Sequence, residues 1–78
     1  MARDIDYAAV AVKKAIVEKF WKAELQDLEA VAGENTIAIR HQGRIAEGTR
    51  DNLLAAVRKA TSIDNLWEVL GNEGRLAR

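Results

Sequence analysis

The chain has 78 residues, enough for one small domain (residues 1–78) around a single hydrophobic core. Apolar residues make up 49% and charged residues 31%, a balance that excludes both compositional disorder and a lipid-embedded chain. Twelve Lys and Arg against twelve Asp and Glu leave no net charge, so no broad field draws the protein to nucleic acid or to an anionic membrane.

Cysteine is absent, which removes a disulfide framework, a thiolate nucleophile and a Cys-based zinc site, and fits a reducing compartment. The first residues, Met1 to Asp6, carry acids where a secretory leader needs bases, and the apolar run Ala8 to Val12 stops at Lys13 and Lys14. A cytoplasmic location is expected. No apolar run approaches the roughly 18 residues of a membrane span.

From Asp4 to Ala32 there is neither Pro nor Gly, and apolar residues recur at spacings of three and four, which predicts one long helix. Asp4 and Asp6 suit its N-terminus, and Gly33 is the expected left-handed stop. Glu24, Asp27 and Glu29 crowd the end where the helix dipole disfavours them by about 0.3–1 kcal/mol each, so packing or a partner must offset them.

Residues Thr36–His41 and Arg44–Glu47 alternate around Gln42-Gly43 and read as a β-hairpin. A three-residue loop, His41 to Gly43, would pair Ile39 with Ile45; a two-residue loop would pair Arg40 with Ile45. Gln is a poor first residue for the type I′ turn that the shorter loop needs, which favours the longer one. Thr49 then caps a helix over Arg50 to Ala60. Ser62 caps a third, whose face is Ile63, Leu66, Trp67 and Leu70 and whose stop is Gly71. The alternative for this last stretch is a second hairpin, pairing 66–70 with 75–78; otherwise 75–78 is a frayed tail. The predicted fold class is α+β, in the order α-β-β-α-α, with the hairpin lying on the helices.

Chemistry has few places to reside. The only Ser and the only His are Ser62, a helix cap, and His41, at the hairpin tip with no carboxylate assigned beside it, so no catalytic residue, metal site or cofactor is expected. Gly48-Thr49-Arg50 resembles no phosphate-binding motif. The one basic cluster is Arg40, His41 and Arg44 with Arg50, a possible nucleic-acid contact without an aromatic residue for stacking.

A helix of about 28 residues would be about 42 Å long, beyond the roughly 30 Å diameter of a compact chain of this size. It would also carry a second apolar stripe. Val10, Lys14, Val17, Trp21, Glu24, Leu28 and Val31 form a heptad seam that, run antiparallel against a copy, sets Val10 opposite Leu28, Val17 opposite Trp21 and Lys14 opposite Glu24. The resulting expectation is a non-enzymatic protein-binding or structural domain, of adaptor, assembly-factor or inhibitor type, that forms a homodimer and engages another protein. The alternative is a small nucleic-acid-binding regulator.

Overall fold

A computed structural model describes residues 3–73 and 75–77 of the chain. The first helix, α1 (Asp4–Lys19), starts where the Asp6 carboxylate reaches back to accept the backbone N–H of Arg3 at 2.9 Å, the reciprocal half of a capping box. Ala9, Val12 and Ile16 form its buried stripe, continued by Phe20 at the C-cap.

The long helix predicted to Ala32 ends instead at Lys19. Phe20 leaves helical geometry at φ −113°, ψ 39°, and a turn closes from Ala23 N–H to the Phe20 carbonyl. Leu28, only 2% exposed, then enters the core, and strand β1 (Glu29–Ala32) follows, its two alanines inward and Glu29 and Val31 outward. The acids explain the break. Continued as helix they would oppose the dipole, whereas here Asp27 accepts the Gln42 backbone N–H and Glu29 pairs with Arg40. Sixteen residues of helix span about 24 Å, inside the molecule's longest extent of 34 Å, so nothing overhangs.

Strands β2 (Ile37–His41) and β3 (Arg44–Gly48) form the expected hairpin, but with the shorter loop. Arg40 faces Ile45 and Ile39 faces Ala46, not Ile45. Gln42 and Gly43 both have positive φ, 52° and 79°, as a type I′ turn requires. The longer loop fails because His41 belongs to β2, its ring on the inward side with Ile37 and Ile39.

Helix α2 (Arg50–Lys59) is capped by Thr49, whose Oγ1 accepts the Asn52 N–H at 3.2 Å. Helix α3 (Ile63–Glu73) is capped by Ser62, and Asn65 returns the favour by accepting the Thr61 N–H. Gly71 does not stop α3, which runs on to Glu73. Strand β4 (Arg75–Ala77), expected as a frayed tail or as a partner of 66–70, pairs antiparallel with β3 instead. Arg78 lies outside the described residues.

The result is an α+β fold with an antiparallel sheet in the order β1-β2-β3-β4. Helix α1 packs over β1 and β2, while α2 and α3 pack over β3, with α3 reaching β4. The core between them is Val12, Ile16, Leu28, Ile37, Ile39, Leu53, Leu66 and Leu70, joined by Trp67 as its spacing predicts. No helix among the described residues is long and apolar enough to cross a membrane.

Candidate functional site

Burial on the inner side of α1 leaves a second row facing solvent. At 100° per residue Tyr7, Val10, Lys14 and Val17 fall within about 80°, roughly 140° from the buried stripe. Tyr7, Val10 and Val17 are 65, 66 and 39% exposed, and Trp21, just beyond the helix, is 70% exposed. Single exposed apolar side chains are ordinary, but a row that shares one helix face is the kind of contiguous patch that marks an interaction surface. Lys14 lies within it, its Nζ 3.9 Å from Glu18 on the same helix, and Lys22 Nζ sits 5.2 Å from the Trp21 ring.

The heptad seam predicted from sequence is therefore only partly assembled. Val10, Lys14 and Val17 share one face, and Trp21 stands exposed past its end. Glu24, Leu28 and Val31 leave the seam altogether, the last as an outward residue of β1. Glu24 lies in the connection after α1, and Leu28 is a core residue. Tyr7 belongs to the row and was missed, although its spacing of three and seven from Val10 and Lys14 was there to be read.

The basic residues present a different picture. Arg40, His41 and Arg44 do meet at the hairpin tip, around a shallow depression of about 290 Å³ that also includes Asp27 and Glu29. Arg40 is paired with Glu29 at 2.8 Å and Arg44 with Asp64 at 3.3 Å. Arg50 is not part of the group. Strand β3 carries the chain away from the tip, so Arg50 lies near Arg3, Asp4 and Glu34 and contacts Asp51 at 3.3 Å.

His41 is 4% exposed and does have a carboxylate beside it, which sequence reasoning did not find: Asp27 Oδ1 is 3.4 Å from Nε2. The same nitrogen lies 2.7 Å from the Glu24 main-chain oxygen, so Nε2 carries a proton and donates it to that carbonyl. The ring is thereby engaged in holding backbone. Lys19 plays a similar part elsewhere, its Nζ donating to the carbonyls of Val57 and Arg58 at 2.6 and 2.7 Å and closing the C-terminus of α2. Among the described residues no three His, Asp or Glu side chains gather as metal ligands. Arg3 holds the Asp6 carboxyl below the usual carboxylate range, first through its backbone N–H and then through its guanidinium.

No family model, curated protein or solved structure matches the chain.

Proposed function

We propose that the protein is a small non-enzymatic docking domain, of adaptor, assembly-factor or inhibitor type, and that it self-associates through the outward face of α1. The observation that carries this reading is the solvent-facing row Tyr7, Val10 and Val17 with Trp21 beyond it, four large apolar side chains left uncovered while the opposite stripe fills the core. A short helix face of this kind buries aromatic and aliphatic anchors against a partner's equivalent surface. The paired arginines of the hairpin tip favour a solvated loop over a phosphate-binding ribbon, since each already has a carboxylate to satisfy it.

Sedimentation equilibrium tests the proposal. The wild-type chain should associate at micromolar concentrations, and Val10→Asp with Val17→Asp should give a monomer whose circular dichroism shows it folded, with a thermal midpoint that no longer rises with protein concentration. Association that survives both substitutions would refute it.

A further inference from the structure

Strand β1 is an edge of the sheet, bonded to β2 on one side only. Gly33 donates its N–H to the Thr36 carbonyl, so with Val31 opposite Ala38 and Glu29 opposite Arg40 the backbone groups of residues 29, 31 and 33 turn toward β2. The N–H and C=O groups of Ala30 and Ala32 therefore point away from the sheet, and among the described residues no hydrogen bond takes them up. Edges are commonly protected by a proline, a lysine, a bulge or a covering element. β1 carries neither proline nor lysine, pairs with β2 without a bulge, and has its one charge, Glu29, bound to Arg40. Ala30 and Ala32, on the helix side, are only half-buried, so α1 does not roof the edge.

The apolar row of α1 lies on the same side of the molecule. Lys19 stands on one flank of the buried stripe and reaches the carbonyls of Val57 and Arg58 in α2. At 100° per residue Val17 and Val10 lie about 100–120° round the other flank, away from α2 and toward the open edge of β1.

We infer that this edge takes a second copy of the chain, β1 antiparallel to β1 with Val31 on the two-fold axis, joining the two four-stranded sheets into one. The inference rests on the self-association proposed above and states where its axis lies. In this register Ala30 of each copy faces Ala32 of the other, and each such pair exchanges two hydrogen bonds, which uses every outward backbone group of the two alanines. Val31, 55% exposed, meets its counterpart at a non-hydrogen-bonded position, where facing side chains approach most closely. Glu29 comes opposite Gly33, which has no side chain to obstruct it. The axis stands perpendicular to the sheet, so both α1 helices keep to one face and turn their Val10 and Val17 flanks toward each other. An unrelated extended peptide would fill the edge and leave that row bare. A copy brings a strand and an apolar helix flank at matching height, which commits the edge to it.

A cysteine scan and hydrogen exchange test the pairing. The chain has no Cys of its own, so Val31→Cys places a single thiol at the axis, with Cα atoms about 4.5 Å apart across it and within disulfide reach. Under oxidised glutathione this variant should form a linked dimer at least tenfold faster than Ala38→Cys, which lies one strand further from the axis on the same face. In the unmodified chain the Ala30 and Ala32 amides should exchange at least tenfold more slowly at millimolar than at low micromolar concentration. Association that leaves those two amides unprotected and the Val31→Cys chains no faster to link than Ala38→Cys would overturn the edge pairing while leaving the α1 docking face in place. A wild-type monomer at high micromolar concentration would overturn both.

Discussion

His41 Nε2 stands 2.7 Å from the main-chain oxygen of Glu24 and so ties the end of β2 to the α1–β1 connection. Asp27 reinforces the join, with one carboxylate oxygen near the same nitrogen and the other accepting the Gln42 N–H at 2.8 Å. The connection that carries Trp21 is thereby anchored from its far side.

Replacing His41 with Ala removes a buried ring and leaves a carbonyl without its donor, at a cost of about 2–3 kcal/mol. Only the backbone of Glu24 takes part in that bond, so Glu24→Ala should change stability by no more than about 0.5 kcal/mol. Urea denaturation of the two variants measures the contrast. Equal losses would mean that the join depends on the Glu24 carboxylate.

The turn at Gln42-Gly43 is open to improvement. Gln42 holds φ 52°, which Asn tolerates better, so Gln42→Asn should stabilise the fold by about 0.5 kcal/mol. Gly43→Ala should cost about 1 kcal/mol for conformational reasons alone, because a Cβ there meets nothing within 4 Å. Thermal midpoints that move in opposite directions would bear this out.

Asp6 gives the fold an acid-side dependence. Arg3 lowers its folded pKa. Its stabilising contribution is therefore complete above the unfolded carboxyl value, about 4, and is lost as pH falls through the lower folded value. Asp6→Asn should reduce the thermal midpoint at neutral pH and flatten its decline in acid. A parallel decline in variant and wild type would contradict the assignment.

Much of this architecture was legible because it is local. Asp6, Thr49 and Ser62 sit at helix starts for reasons visible within four residues, and Trp67 follows the spacing of its own helix. What failed depended on distant partners. The stretch Phe20 to Leu28 has helix-forming composition, yet Leu28 is drawn into the core and Asp27 is held by Gln42 across the fold. The misplaced acids were the one readable sign that the helix had to stop. Likewise Gln42 argued against the short loop, but Asp27 supplies the hydrogen bond that steadies it. At the candidate site, Val10, Lys14 and Val17 could be placed from helical periodicity, whereas Glu24 and Leu28 were lost with the helix that never forms. The Asp27–His41 approach spans two elements, and no spacing rule reports it.

The most direct measurement is amide chemical-shift mapping as the protein is concentrated. Shifts should change progressively at Tyr7, Val10, Lys14 and Val17 and at the Trp21 indole, while the hairpin tip around Arg40 and Arg44 stays still. Concentration-dependent shifts confined to the hairpin tip or to β1, with α1 unmoved, would contradict docking through this helix.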